Sequence, residues 1–101
     1  LGRAVTLVPG GAQPLRRIAW CTGGAQGYFE EAIAAGADAF ITGEMSYHEY
    51  FGHEQEIQIC VIGHYQSEQF TGEIFRSIIQ ENFPDAKCCI SEINTNPILY
   101  L

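Results

Sequence analysis

Short apolar runs separated by helical segments constrain the fold of this chain more than any other feature. Each run is continuously apolar rather than alternating, and turn residues or a helical pattern follow it. The four runs are Arg17–Cys21, Ala37–Thr42, Gln58–Ile62 and Ala86–Ile90. Continuous apolar strands separated by helices are typical of a parallel sheet that is buried on both faces. We therefore predict an α/β fold, with a mostly parallel or mixed sheet of about four strands and helices on both faces.

The segments between the runs carry helical signals. Between Gln26 and Ala35 the apolar residues recur at helical spacing, and Gly36 follows at the position typical of a C-cap glycine. Ser46 and Glu49 form a Ser-x-x-Glu capping box, which predicts a second, short helix. The apolar face of a third, longer helix consists of Phe70, Ile74, Phe75, Ile78 and Ile79. Pro84 then ends this helix.

The residues before the first predicted strand differ from the rest. We predict that Leu1–Pro9 adds an edge strand and that Gly10 and Gly11 form a linker. The chain starts neither with Met nor with a signal sequence, so we interpret it as cut from a longer protein. Residues 1–16 are then a leader or the trailing edge of a preceding domain, and residues 17–101 are the α/β domain.

The charge of the chain limits its partners. The net charge is −7, and Lys87 is the single lysine. Because an acidic surface repels phosphate backbones and anionic membrane surfaces, we expect binding neither to nucleic acid nor to membranes. No apolar run approaches the roughly 20 residues that a membrane-crossing helix needs.

The cysteines indicate the compartment. None of Cys21, Cys60, Cys88 and Cys89 belongs to a Cys-x-x-Cys pair, and all four lie within the apolar runs. We predict buried, free thiols and a cytoplasmic location, because free cysteines persist in reducing compartments. A disulfide scaffold and a zinc ribbon are both disfavoured.

In a parallel sheet, functional residues gather where strands end and helices begin. The first such junction, Thr22–Gly27, is glycine-rich, and it is either a tight turn or a cradle for an anion at a helix N-terminus. The second junction contains Glu44, with His48 one helical turn further on. These two are candidates for general acid or base if a metal lies nearby, and the alternative is a capped surface helix with a solvated Glu44.

The third junction contains His64 and Glu68, four residues apart and so on one face of a helix. An imidazole nitrogen and a carboxylate oxygen are ligands that a catalytic divalent metal uses when it keeps open positions for water. The competing interpretation is that Ser67 caps the long helix and places Glu68 in the first turn, where a carboxylate is favourable. The spacing leaves both interpretations open.

Four motifs carry a resemblance to a known family. In order along the chain they are Ile18–Gly24, Asp38–Glu44, Gly63–Glu68 and Ser91–Pro97. They resemble the C-terminal half of the NIF-three-like dinuclear metal-centre proteins, also named GTP cyclohydrolase I type 2 homologues. The resemblance extends over nearly the whole chain from Arg17 onward. One departure is Asn94, which stands where the family pattern has an aspartate.

The resemblance implies an α/β protein of two similar halves with two divalent metal ions between them, for which zinc, iron and manganese are the candidates. His64 and Glu68 match the family's Gly-His-x-x-Ser-Glu motif and would be metal ligands. The remaining ligands, two histidines and an aspartate, come from the N-terminal half, so residues 17–101 would be the C-terminal half. Glu44 and His48 would orient ligands or transfer protons. Family members form ring-shaped hexamers, so a homo-oligomer is expected for the full-length protein.

The implied activity is metal-dependent hydrolysis of a small-molecule substrate, a nucleotide or a phosphoester, as in a cyclohydrolase. The alternative is a non-catalytic metal-binding scaffold or a regulatory interaction protein. A third hypothesis is that these 101 residues form half of a site and are inert by themselves.

Overall fold

The computed structural model describes residues 6–101, apart from the side chain of Gln26. The chain divides into two compact units. The first unit ends at Glu68, and the second runs from Gln69 to Leu101.

A four-stranded sheet forms the centre of the first unit. Its strands are β1 (Thr6–Val8), β2 (Ile18–Cys21), β3 (Ala39–Thr42) and β4 (Gln58–Val61). The order across the sheet is β1-β4-β3-β2. The pairs β2–β3 and β3–β4 are parallel, and β1 pairs antiparallel with β4. The mixed sheet of four strands confirms the predicted α/β class.

The fourth strand of the sheet is the predicted N-terminal edge strand and not the predicted strand Ala86–Ile90. Ala86–Ile90 is not a strand in the structure. An apolar run becomes a strand only when a neighbouring backbone pairs with it, and this segment has no ladder within its unit. The predicted edge strand supplies the fourth strand instead, with Thr6 opposite Val61 and Val8 opposite Ile59. Residues 1–5 of that prediction lie outside the described part of the chain.

The first predicted helix forms and ends as expected. A 3₁₀ turn (Ala25–Tyr28) leads into helix α1 (Phe29–Ala34). Gly36 adopts a φ of 78°, and its N–H donates to the carbonyl of Ile33 at 2.9 Å. Because glycine reaches this left-handed conformation without a steric penalty, it terminates the helix as the sequence predicts.

Helix α1 covers one face of the sheet. Phe29 and Ala32 from the helix are buried against Phe40 and Ile59 of the central strands, together with Ile57. The rings of Phe29 and Phe40 are 5.5 Å apart and tilted by 53°. Burial of this apolar surface is the main stabilising contribution to the first unit.

The predicted capping box is wrong. Residues Tyr47–Tyr50 form a single 3₁₀ turn, and the Ser46 side chain makes no capping hydrogen bond. The N–H of Glu49 donates to the backbone carbonyl of Ser46 at 2.9 Å. In a capping box the serine hydroxyl oxygen would accept that same N–H. In the tighter 3₁₀ turn the backbone carbonyl accepts it, so no donor is left for the hydroxyl.

Two further helices follow β4. Helix α2 (His64–Glu68) closes the first unit, and helix α3 (Thr71–Asn82) opens the second. Helix α3 ends two residues before Pro84, as predicted. Its large apolar side chains are exposed; they include Ile74, Phe75, Ile78 and Ile79. Within residues 6–101, no helix is both long and apolar enough to cross a bilayer.

The four cysteines are free thiols, as predicted, but they are less buried than predicted. Cys21, Cys60 and Cys88 are half-buried, and Cys89 is exposed. Cys60 lies on the sheet face opposite the core residue Ile59, since side chains alternate along a strand. A strand position in an apolar run therefore does not by itself ensure burial.

Candidate functional site

The three strand–helix junctions meet at one edge of the sheet because β2, β3 and β4 are parallel. Backbone hydrogen bonds join the junctions directly: the N–H of Glu44 donates to the carbonyl of Gly23, and the N–H of Gly63 donates to the carbonyl of Gly43, both at 3.0 Å. Thr42 is fully buried, and its hydroxyl donates to the carbonyl of Glu44 at 3.4 Å. The backbone that carries Glu44 is therefore held from two sides.

His64 lies between two carboxylates at this edge. Its Nδ1 is 3.1 Å from Oε1 of Glu44, and its Nε2 is 3.1 Å from Oε2 of Glu68. The side chain of His64 is 47% exposed, that of Glu44 is 60% exposed, and that of Glu68 is 46% exposed. A ligand from solution can therefore reach the cluster.

The two ring nitrogens of His64 have different partners and different roles. When the imidazole is neutral and donates its Nδ1–H to Glu44, the lone pair is on Nε2 and points toward Glu68. This carboxylate–histidine pairing is the one that orients metal-bound histidines and increases their basicity. The hydrogen bond to Glu44 raises the pKa of His64 above its ordinary value; burial opposes this, and the charges of Glu68 and Glu44 add to it.

Ser67 does not cap the long helix, so the competing interpretation of Glu68 is wrong. Ser67 lies inside α2, and Glu68 is the last residue of that helix rather than part of the first turn of α3. The Ser67 hydroxyl accepts the N–H of Gly23 at 2.9 Å and donates to the carbonyl of His64 at 2.8 Å. This serine thus joins the first junction to the turn of helix that carries His64.

Glycines allow the junctions to approach this closely. Gly23 has a φ of 64°, and a Cβ there would contact Oε1 of Glu68 and lie 3.3 Å from Nε2 of His64. At Gly43 a Cβ would lie 2.6 Å from the carbonyl oxygen of Gly23 and 2.7 Å from Oγ of Ser67. The first junction is therefore a tight turn packed beside His64 and Glu68. The N–H of Gly23 is donated to Ser67, so it does not serve as part of an anion cradle.

His48 is not part of this cluster. It lies exposed in the 3₁₀ turn, where its ring contacts that of Tyr47 with centroids 5.5 Å apart. Within residues 6–101, no hydrogen bond or ion pair joins it to Glu44, His64 or Glu68. Of the four site residues predicted from the sequence, the structure brings together three.

The geometry of His64 and Glu68 fits two ligands of one metal ion. Donors about 2.0–2.2 Å from a metal stand roughly 3.0–3.5 Å apart when they occupy adjacent positions. The Nε2–Oε2 separation of 3.1 Å lies in that range. In the part of the chain that the structure describes, no group of three His, Cys, Asp or Glu side chains is placed to hold a metal ion. Those residues therefore offer a pair of ligands rather than a full set.

Sequence reasoning missed the contributions of Gly43 and Ser67. Both are small residues at the ends of elements, which is a weak signal because such residues are common in turns. The contact between Glu44 and His64 could not be predicted from the sequence either, because the two residues lie 20 positions apart. They meet only because of the register of the strands that precede them.

Comparisons with known proteins identify similar sequences over most of the chain. The family model described as Duf34/NIF3 (NGG1p interacting factor 3) matches residues 1–97. A Pseudomonas aeruginosa protein named GTP cyclohydrolase 1 type 2 homolog is 52% identical over 71 residues, which are 69% of this chain and 28% of that protein. A Neisseria meningitidis serogroup B protein of the same name is 33% identical over 95 residues, covering 93% of this chain and 38% of that protein.

Solved structures agree with these similarities. A crystal structure of a Staphylococcus aureus protein has a TM-score of 0.78 and 31% identity, and it covers 97% of this chain and 29% of that one. The ybgI protein, whose function is given as unknown, has a TM-score of 0.68 and 34% identity over 80% of this chain and 34% of its own. The chain thus matches between 28% and 38% of the length of these relatives. By its sequence and by its fold, it belongs to the Duf34/NIF3 family.

Proposed function

We propose that this chain contributes His64 and Glu68 as ligands to a dinuclear divalent-metal site of a metal-dependent hydrolase. The observation that carries the proposal is the placement of His64 between two carboxylates, with Nδ1 bonded to Glu44 and Nε2 facing Glu68 at 3.1 Å. Zinc, iron and manganese all suit a mixed nitrogen and oxygen site. The other ligands would come from outside the described residues.

Each residue of the cluster has a separate task in this proposal. His64 would bind through Nε2, and Glu68 through its carboxylate. Glu44 would hold the imidazole in the orientation and tautomer that binding requires. Ser67 and Gly23 would keep helix α2 in place against the sheet edge. When bound, divalent metals lower the pKa of a coordinated water, which makes hydroxide available at neutral pH.

The relatives' names support the class of substrate. Several curated relatives are named GTP cyclohydrolase 1 type 2 homologs. We infer from this a small-molecule substrate that is a nucleotide or another phosphoester. His48 stays in the proposal only as a distant proton-transfer group, since it contacts none of the three clustered residues among residues 6–101.

Metal binding is tested by calorimetric titration of the chain with zinc or manganese. We expect weak binding to the wild-type chain, because two ligands without the rest of the set bind poorly. His64→Ala should abolish that binding, and the matched control His48→Ala should leave it unchanged. Tight stoichiometric binding by the chain alone would contradict the hypothesis that these residues form only half of the metal site. Unchanged binding in His64→Ala would contradict the proposal that His64 is a metal ligand.

Hydrolysis is tested with the metal-loaded full-length protein on a panel of nucleotides and phosphoesters. We expect turnover that depends on added metal and disappears in His64→Ala. The control here is His53→Ala, which should keep the wild-type rate because His53 pairs with Glu30 and Glu56 and has no role in the proposal. If His64→Ala retains the wild-type rate, the hydrolase proposal is lost.

A second candidate is a non-catalytic scaffold or regulatory interaction protein. The family description itself refers to an interacting factor, and several large apolar side chains of this chain are exposed, among them Trp20. In that case the metals would hold an assembly together without turnover. The two candidates differ in whether the metal-loaded full-length protein converts any member of the panel.

The remaining expectations concern the whole protein. We propose a homo-oligomer, as a hexameric ring at full length, which light scattering coupled to gel filtration would measure. A cytoplasmic location also belongs to this proposal, because the free thiols Cys21, Cys60, Cys88 and Cys89 suit a reducing compartment.

A further inference from the structure

Two exposed aromatic rings lie together after the second junction. Tyr47 opens the 3₁₀ turn and Phe51 follows it, and their rings pack edge to face with centroids 5.1 Å apart. Tyr47 is 68% exposed and Phe51 is 55% exposed. Because exposed apolar rings gain free energy when another flat apolar group covers them, this pair offers a surface for stacking. We call Tyr47 and Phe51 the aromatic platform.

The backbone that carries the aromatic platform is fixed on both sides. Tyr50 packs against the core, and its hydroxyl donates to the carbonyl of Met45 at 3.4 Å. Directly after Phe51, the N–H of Gly52 donates to both carboxylate oxygens of Glu54 at 3.1 Å. A ligand therefore meets two rings whose backbone is already ordered, which lowers the entropic cost of binding.

The aromatic platform follows the same sheet edge that carries the His64 cluster. Strand β3 ends at Thr42, and Tyr47 comes three residues after Glu44. Three residues span at most about 11 Å, so one small molecule can contact both the cluster and the platform. A nucleotide has a suitable form, because its sugar separates a flat nucleobase from its phosphate.

The charges of the first unit favour recognition of the nucleobase over recognition of the phosphate. In the described part of that unit, the Lys and Arg residues are Arg16 and Arg17, which precede β2 and so lie at the opposite edge of the sheet. The edge with the cluster carries the exposed carboxylates of Glu44 and Glu68. These carboxylates repel a phosphate unless a metal ion is bound. Stacking on an aromatic ring needs no charge, so it supplies affinity at this edge whether or not a metal is bound.

We propose that the aromatic platform binds the purine base of a nucleotide substrate by stacking. The inference rests on the proposed function, in which the His64 cluster is the metal-binding end of the same substrate site. A purine is favoured over a pyrimidine because its two fused rings present the larger flat surface. Tyr47 and Phe51 are then substrate-binding residues that select nucleotides over phosphoesters that have no nucleobase.

Binding of the nucleobase is measured by NMR on the chain in EDTA, so that neither metal binding nor hydrolysis affects the result. The probe is inosine, a purine nucleoside without phosphate, and ribose 5-phosphate is the comparison ligand without a nucleobase. We expect inosine to shift the ring resonances of Tyr47 and Phe51, and ribose 5-phosphate to leave them unchanged. Tyr47→Ala should weaken inosine binding roughly five-fold to 100-fold, because the stacking partner is lost.

Two further variants separate stacking from other effects. Tyr47→Phe keeps the flat ring and should keep the affinity for inosine. Tyr28→Ala is the matched control, because Tyr28 is 62% exposed and its ring contacts no other ring among residues 6–101. The absence of any shift at Tyr47 and Phe51 would overturn the proposal, and so would wild-type affinity in Tyr47→Ala. A change of oligomeric state in Tyr47→Ala with unchanged inosine binding would also overturn it, since the platform would then be a protein contact.

Kinetics of the metal-loaded full-length protein distinguish this inference from the proposed function. Tyr47→Ala should raise the KM for a purine nucleotide roughly ten-fold, and it should leave kcat and the KM for ribose 5-phosphate unchanged. An equal rise in KM for both substrates would overturn the role of the platform while the hydrolase proposal stands. The lack of any turnover would overturn the hydrolase proposal, and inosine binding in EDTA would still decide whether the platform binds a nucleobase.

Discussion

Replacing Gly43 by alanine should disrupt the packing that brings the three junctions together. The added Cβ would lie 2.6 Å from the carbonyl oxygen of Gly23, 2.8 Å from its nitrogen and 2.7 Å from Oγ of Ser67. Two of these atoms are backbone, and Ser67 is held by hydrogen bonds to Gly23 and to His64. None of the three can move aside without separating the loops.

The cost follows from this overlap. Forcing a methyl group into a well-packed site typically costs about 1–3 kcal/mol. For a domain of this size, each kcal/mol lowers the melting temperature by about 4–8 °C. We therefore expect Gly43→Ala to lower the melting temperature by roughly 5–20 °C, as measured by circular dichroism.

The matched control is Gly27→Ala. A Cβ at Gly27 would meet no atom within 4 Å, and this glycine has no positive φ. Because alanine restricts the unfolded chain more than glycine does, this change should be neutral or stabilising by up to about 1 kcal/mol. If Gly43→Ala is as stable as Gly27→Ala, the junctions are not packed as the structure describes, and the geometry of the His64 cluster is in error.

Three further perturbations test other parts of the account. Glu44→Gln should lower the pKa of His64 toward its ordinary value, because the hydrogen bond that His64 donates to the Glu44 carboxylate is the main cause of its raised pKa. An NMR titration measures this pKa, and metal affinity should fall about 10–100-fold. Phe40→Ala should cost about 3–5 kcal/mol in urea unfolding, whereas Phe51→Ala, at an exposed site, should be near neutral; equal effects would contradict the core. Asp38→Asn tests how the stability of the fold depends on pH. Two backbone N–H groups bond the Asp38 carboxylate and lower its pKa, so its contribution to stability is present above the unfolded pKa and is lost as the pH falls through the folded pKa. The advantage of wild type over Asp38→Asn in thermal unfolding should therefore shrink below about pH 4, and a constant difference would contradict this.

The sequence predicted those elements whose signals are local. The apolar runs of β2, β3 and β4 and the glycine after α1 are each readable within a few residues, and each prediction is confirmed. Predictions failed where a partner decides the outcome. Ala86–Ile90 has the composition of a strand but no neighbouring strand in its unit, and Ser46 lost its capping donor to a tighter turn.

The cluster at the sheet edge depends on register, which the sequence does not reveal. Thr42 lies opposite Val61, so the two strands end level and the segments that follow them begin side by side. Glu44 and His64 meet for this reason. The His64–Glu68 pair was predictable from its spacing on one helical turn, whereas the link through Ser67 requires three-dimensional contacts.

The central claim is that His64 and Glu68 bind a divalent metal, and the most direct measurement follows the histidine side chains by NMR during titration of the chain with zinc. The chain has three histidines, His48, His53 and His64, so two of them serve as internal controls. We predict that zinc perturbs the resonances of His64 at Nε2, leaves His48 and His53 unchanged, and loses this effect in Glu68→Ala. Perturbation of His48 or His53 with an unchanged His64 would contradict the account.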